Sequence, residues 1–509
     1  MLNKLSSLFT RENLLLLALC LAAFLLRVYN ISELMIFSYD QGRDMYVLQQ
    51  ITRGDVTLIG PTTGLPGFFL GPFFYYALLP GFIISNGSPI GVVIWQMFII
   101  VATLPVLYYT LKPFVKPYLA WLALVLFALT PGALSQARNI WNPSWVAPVL
   151  ILMTWSLFTS IRSSRWQPLW LALGLFCYGL SLQTEFAYAI FLAPVVGWWV
   201  FIHSPLYTLI RNRWTQTKAS SIFSWQTLII GCVAFAVTVA PQALFEFRNQ
   251  FLMTNSLLKE MSDTSKQVPL MQIWRERPLL MFAELQNTLF ALQTLSKLGV
   301  WLVISLLTYL AVQLRKTKHE WFVLLLVISP LVGMLLHRGN YGYFFNYYIT
   351  AHYLPIIMAL IFALHRYPWR KTASVIMIML WSLGTWHYVS AIYHPSTLQY
   401  TIGHQLRALR NIRTMTTTEP IAIAARVPNL VPINYQYLNE WLARTQGERP
   451  VDFQVEAKHQ EYFLLYEPFH GTKTIFFDPW YAEMTQGVSC GEPHQFGIIS
   501  VEHCRRVAQ

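Results

Sequence analysis

Apolar blocks of roughly 20 residues recur along this chain, the length a helix needs to cross a hydrocarbon core. Lipid offers no partners to open backbone groups, so each block must be helical. Hydrophobic residues make up 55% of the chain and charged residues 12%, about half the charged share of an ordinary soluble protein. A soluble globular fold is therefore excluded, and the expected class is an all-α polytopic membrane domain.

The formal net charge of +13 does not point to nucleic acid. Lys4 and Arg11 precede the first apolar block, and basic clusters recur at Lys112/Lys116, Arg162/Arg165, Arg211/Arg213/Lys218, Arg315/Lys316/Lys318 and Arg366/Arg370/Lys371. Spans counted between these clusters return each to one side, the positive-inside pattern. The charge is thus an orientation signal: the N-terminus is expected in the cytoplasm, with about eleven spans. The block from Leu14 to Leu26 lacks a small-x-small cleavage site and reads as a retained first span.

A membrane domain is expected over residues 1–393, with a long first outer loop at about 30–90 and a second at about 243–297, the latter carrying one or two interfacial helices. Within the first loop, Asp40 to Gln50 reads as a short amphipathic helix lying along the interface. From 394 to 509 the composition becomes that of a soluble protein. Helical periodicity over Leu398–Arg413 and Tyr435–Ala443, and strand patterns at Ile421–Ala425 and Tyr462–Tyr466, predict a small extracytoplasmic α/β domain. Cys490 and Cys504 lie in this tail and would be free to form a disulfide on an oxidising side. No internal repeat is visible.

Carboxylates are scarce. Between residues 34 and 245 they are Asp40, Asp44, Asp55 and Glu185. Asp40 and Asp44 are four apart and share one helical face beside Arg43, an arrangement suited to a general base or to local ion pairing. Glu185 stands at the outer end of an apolar block, where an ionisable group is a candidate site residue. Arg138 and Asn142 in one outer loop, and His337, Arg338, Tyr341 and His352 in another, lie on the side that orientation leaves poor in arginine. Arginine suits bidentate contact with a phosphate or carboxylate, so an anionic ligand at the outer face is expected, with snorkelling or pairing to Asp40 or Asp44 as the plainer alternative. Arg248, beside Glu246 at the end of a span, reads as a site wall or a local pair.

The order of these features carries a resemblance. A retained span is followed by Tyr39-Asp40 opening a long outer loop, then Gly71-Pro72-Phe73-Phe74-Tyr75-Tyr76, then Arg138, then a basic and Tyr-rich stretch before a late span. This order resembles the GT-C superfamily of membrane glycosyltransferases, in the branch of protein O-mannosyltransferases and aminoarabinose–lipid A transferases. The resemblance implies that Asp40 acts at the reaction centre. The next position is Gln41 rather than a second acid, which leaves Asp44 or another group for that role. Tyr75 and Tyr76 fall in the aromatic stretch expected to line the cavity. The lysine often found beside it is absent, so phosphate contact would fall to Arg138, Arg338 or Tyr341. The implied reaction moves a sugar from a polyprenyl-phosphate donor to an acceptor hydroxyl on a protein, lipid or glycan, with inversion at the outer face of the cell membrane. No cofactor is required; a divalent metal is compatible with Asp40, Glu185 and the histidines, though no spacing demands one. The rival class is a lipid or glycan transporter or flippase, which favours repeated halves and midplane polar residues.

Overall fold

The computed structural model describes residues 10–215, 220–291, 296–338, 342–393, 401–417, 419, 421–455, 459–468 and 479–506. Most of these are helical. Five helical segments among them are long and apolar enough to cross a membrane: Pro89–Leu111, Asn142–Ser160, Trp225–Arg248, Lys318–Leu336 and Asn346–Arg366. Two bent pairs, Pro117–Leu129 with Pro131–Ala137 (56°) and Phe186–Ile202 with Pro205–Thr215 (61°), raise the number to seven if each pair is one crossing. The sequence-based figure of about eleven is thus higher than length and apolarity alone support among the described residues.

The bends have local causes. Thr130 breaks the first pair with an extended backbone, and Pro131 then opens the new helix at a position where its missing N–H costs nothing. The Lys318–Leu336 helix starts with a capping box, Thr317 with Glu320, which satisfies two otherwise orphaned donors. Glu320 also pairs with Arg366 across two helices, and Lys112 pairs with Glu12.

The segment 243–297 carries two helices, Leu252–Ser262 and Leu270–Phe290. The segment 30–90 carries the helix Tyr39–Thr52, where a short amphipathic helix over Asp40 to Gln50 was expected. Gln41, Gly42, Asp44, Met45, Leu48, Gln49 and Ile51 are buried, and the helix packs on Ile433–Gln446 of the C-terminal domain. Mixed polar and apolar residues let it bind protein on one side, where a lipid-facing helix would need a continuous apolar stripe.

The C-terminal domain is α/β, as expected. Its strands are β1 (Ile421–Arg426), β2 (Val451–Asp452), β3 (Glu461–Tyr466), β4 (Val488–Cys490), β5 (His494–Phe496) and β6 (Ile499–Arg506). The order is β2-β1-β3-β6-β4, with β5 also on β6. β1 is parallel to β2 and β3, while β3, β4 and β5 run antiparallel to β6. Ile402–Met415 and Ile433–Gln446 cover the sheet. Cys490 and Cys504 face each other on β4 and β6 and form a disulfide. The expected join at 393/394 falls beside residues 394–400, which lie outside the described residues.

Candidate active site

A cavity of about 610 Å³ opens between the 30–90 and 243–297 segments, walled by Asp40, Arg43, Asp44, Asn142, Glu185, Arg277, His337 and Arg338 together with an apolar and aromatic side that includes Phe68, Trp141, Phe186, Met261 and Tyr347. Residues more than 290 positions apart in sequence therefore meet in one place.

Asp40 and Asp44 sit on the first two turns of Tyr39–Thr52. Ser38 caps the helix, its backbone N–H donating to Gln41 Oε1 (3.0 Å), while Gln41 Nε2 donates to the Ile140 carbonyl (3.1 Å). Gln41 is thus the brace that seats the helix on the 138–142 loop. Arg43 lies between the carboxylates. It donates to Asp44 Oδ1 from Nε (3.0 Å) and Nη2 (2.9 Å), and from Nη1 to Asp40 Oδ1 (3.0 Å) and the Thr62 hydroxyl (2.9 Å). Tyr75 donates to Asp44 Oδ1 as well (2.9 Å). The two acids differ in access: the Asp44 side chain is 3% exposed, that of Asp40 55%. Burial pushes Asp44 up to about 6, against the pull of Arg43 and Tyr75. Asp44 is the anchor of the cluster, and Asp40 is the more open of the two carboxylates in the cavity wall.

Tyr75 reaches Asp44 because Gly71-Pro72 starts its helix in close contact with Gln183. A Cβ on Gly71 would stand 2.3 Å from that side chain, and Gln183 Oε1 accepts from Phe73 N (3.0 Å). The aromatic stretch is therefore locked to the helix that ends at Glu185.

Glu185 terminates Gln167–Thr184 and opens Phe186–Ala189, accepting from Ala187 N (3.3 Å). It is buried, and burial pushes its pKa to about 8, with that one N–H pulling the other way. The buried carboxyl therefore favours its protonated form more than a free glutamate does.

The arginines divide in a way the sequence did not show. Arg138, expected on a phosphate, is instead buried with Nη2 on the Leu26 carbonyl (3.0 Å) and Nε on that of Arg27 (3.3 Å). These are among the last carbonyls of Arg11–Val28, which have no partner within their own helix. Its neighbours are braces too: Asn139 accepts from Ile36 N (3.0 Å). In the same loop Trp141 and Asn142 do reach the cavity, Asn142 held by the Thr184 carbonyl (2.6 Å). Arg248 is exposed and lies away from the cavity wall, and Glu246 caps Leu252–Ser262 through Met253 N and Thr254 N. His352 is buried on the Tyr188 hydroxyl (3.1 Å), behind the site. Tyr76 ties to the Thr57 carbonyl (2.9 Å). Tyr341 lies outside the described residues.

Arg277 was missed. It donates to the carbonyls of Met334 (2.5 Å), His337 (2.6 Å) and Gly342 (3.0 Å), and its Nε has no partner among the described residues. Its signal was present: Ile273, Met281 and Leu285 are buried at helical spacing with Arg277 among them, so an arginine sits on an apolar stripe. The mixed charge of Arg275-Glu276-Arg277 concealed it. Arg338 Nε donates to the Val268 carbonyl and its own carbonyl accepts from Val268 N (3.1 Å each), which joins the two walls.

Among the described residues, one group of His, Cys, Asp or Glu is close enough to hold a metal: Cys490, Glu502 and Cys504, two of which are disulfide-bonded.

No family model matches the chain, and no curated protein matches it by sequence. Its structure is similar to that of ArnT from Cupriavidus metallidurans in the apo state, at 13% identity and a TM-score of 0.58, over 96% of this chain and 97% of that one. The same protein bound to undecaprenyl phosphate matches at 12% identity and a TM-score of 0.56, with the same coverage. The arabinofuranosyltransferase AftD from Mycobacteria matches at 13% identity and a TM-score of 0.53, over 98% of this chain and 40% of that one. The chain therefore shares the fold of ArnT over nearly its full length.

Proposed function

We propose that this chain is an integral membrane glycosyltransferase that moves a sugar from a polyprenyl-phosphate donor to an acceptor hydroxyl at the extracytoplasmic face, with inversion. One observation carries the reading: the exposed carboxylate of Asp40 shares a single cavity with Arg277 and Arg338, on a fold whose relatives include a structure holding undecaprenyl phosphate.

In this reading the lipid phosphate sits by Arg277 and Arg338, with its tail along the apolar wall. The acceptor hydroxyl lies by Asp40. Asp40 takes the hydroxyl proton as the acceptor oxygen forms its bond to the anomeric carbon. The bond from that carbon to the phosphate oxygen breaks, its electron pair leaves with polyprenyl phosphate, and guanidinium groups stabilise the growing charge. Arg43 holds Asp40 in place. Among the described residues no group of three ligating side chains gathers around Asp40 and Glu185, and no step here runs through a divalent ion.

The orientation that fits this reading has a cytoplasmic N-terminus and an extracytoplasmic C-terminal domain, whose disulfide suits an oxidising side. The helices Arg11–Val28, Gln167–Thr184, Ser296–Gln313 and Arg370–Tyr393, each of 18 residues or more, would bring the crossings to about eleven if all of them span. The acceptor is a protein, lipid or glycan. The transporter reading is the weaker one: Asp40, Asp44, Glu185 and His337, the titratable groups it would need at the middles of spans, stand in the 30–90 loop or at helix ends.

The test is turnover of labelled polyprenyl-phosphate sugars by the purified protein. Release of polyprenyl phosphate together with labelled acceptor supports the reading. No release from any donor, with folded protein, overturns it.

A further inference from the structure

Among the described residues the C-terminal domain makes no contribution to the cavity wall, yet it grips the helix that carries Asp40. The Phe37 carbonyl, one residue before the Ser38 cap, accepts from two buried amides on different helices of that domain: Gln405 Nε2 at 2.8 Å and Asn434 Nδ2 at 3.1 Å. Gly42, between the two aspartates, lies against the Asn434 backbone so closely that a Cβ there would stand 2.6 Å from Asn434 Cα. One turn on, Tyr46 donates to Glu440 (2.6 Å). On the N-terminal side, Ile402 N donates to the Met35 carbonyl (3.0 Å) and Ile36 bridges to Thr401.

The location within the domain is informative. β1 lies between two parallel partners, β2 and β3. In parallel sheets the crevice beyond the carboxyl ends of the strands, at such a reversal of order, is where ligands ordinarily bind. Here Glu467 follows β3 and donates its N–H to the Arg426 carbonyl at the end of β1 (2.8 Å), while its carboxylate accepts from Tyr435 (2.7 Å) and lies beside Gln405. The amide that this network orients points at Phe37. A segment of the membrane domain thus sits at the end of the sheet that a separate ligand would use.

We propose that Gln405 and Asn434 are positioning residues, which set the direction of Tyr39–Thr52 and so the place of the Asp40 carboxylate. The C-terminal domain is then a clamp on the active-site helix. This rests on the reading of Asp40 as the base. A misplacement of about 1 Å costs on the order of 10²-fold in rate, so a carbonyl held from two sides is a sensitive point.

The experiment uses the full chain in detergent or nanodiscs, with Asn434→Ala, Asn434→Asp, Gln405→Ala and Tyr46→Phe. Turnover is followed as kcat and donor KM, and amide hydrogen exchange is followed over residues 38–48. The expected result is a fall in kcat of about 10-fold to 100-fold for the Ala variants, donor KM within about twofold, and faster exchange at 38–48. Asn434→Asp keeps the size but loses the donor, and is expected to be at least as impaired as Asn434→Ala; full activity there would mean that only packing matters and would overturn the proposal. Tyr46→Phe removes one less buried bond and is expected to raise exchange without unfolding, which keeps a readout if the amide variants fail to fold. Unchanged exchange in every folded variant overturns the proposal too. Exchange does not depend on turnover, so loss of the Asp40 assignment (full activity in Asp40→Asn) is distinguishable from loss of the clamp.

Discussion

The Tyr75 hydroxyl donates to Asp44 Oδ1 at 2.9 Å, the same oxygen that Arg43 reaches with two of its nitrogens. Saturated on that side and buried, Asp44 holds the cluster in place, which leaves Asp40, four residues earlier, as the acid with an open face.

The two aspartates should therefore fail differently. Asp40→Asn is expected to lower kcat by about 10²–10⁴, the usual worth of a general base, with an unchanged melting temperature. Asp44→Asn leaves Arg43 short of its buried partner and is expected to destabilise by about 3–5 kcal/mol, seen as a lower melting temperature. Tyr75→Phe removes one neutral donor and should cost about 0.5–1.5 kcal/mol. Equal melting temperatures for Asp40→Asn and Asp44→Asn would contradict the assignment.

Arg277 and Arg138 make a second contrasting pair. Arg277→Ala is expected to raise donor KM and lower kcat, and Arg277→Lys should recover only part of either, because a point charge does not replace a planar fork. Arg138→Ala uncaps the end of Arg11–Val28 and is expected to lower the melting temperature while kcat per folded molecule stays within about twofold. Steady-state kinetics on both, with melting curves, decide it.

Glu185 gives a pH dependence. Its native pKa, about 8, is above the usual 4.5, so the native state holds a proton that the unfolded chain releases across that interval. The contribution of this group to stability is full below the lower value and is lost as pH rises toward the upper one. Above about pH 8 the group ionises and adds a negative charge beside an anionic donor, so donor KM is expected to rise. Glu185→Gln should flatten both trends. A KM–pH profile identical in the two proteins would rule out this role.

The disulfide closes a short loop, Cys490 to Cys504 with a separation of 14. Loss of such a link costs about 3 kcal/mol in the chain-entropy account. Cys490→Ser with Cys504→Ser is expected to lower the melting temperature of the C-terminal domain, and through the grip on Phe37 to raise exchange at residues 38–48. Calorimetry with and without reductant checks it.

The pairing of Asp40 with Asp44 was legible because helical spacing is a local rule: four residues apart is one turn, whatever else the chain does. The C-terminal α/β pattern was legible from local signals too, short continuous apolar runs in β1 and β3 and periodicity in the helices near them. Arg138 was not. Its residue type announced a cation on the outer side, but whether a guanidinium meets a ligand or a helix end depends on which carbonyls lack partners nearby, and Leu26 and Arg27 are more than a hundred residues away.

Arg277 is the converse case, hidden in a mixed-charge run and placed in the cavity by the fold of Leu270–Phe290 against the 337–338 turn. The partner of Tyr39–Thr52 was not legible, because the surface it packs on comes from residues 433–446. Apolar block lengths, basic-loop alternation and one-turn spacings follow from backbone geometry and bilayer thickness, so the amino-acid order determined them. Which of these cations shares a cavity with Asp40, and what holds that helix still, are matters of non-local hydrogen-bond satisfaction, and only the assembled chain decides those.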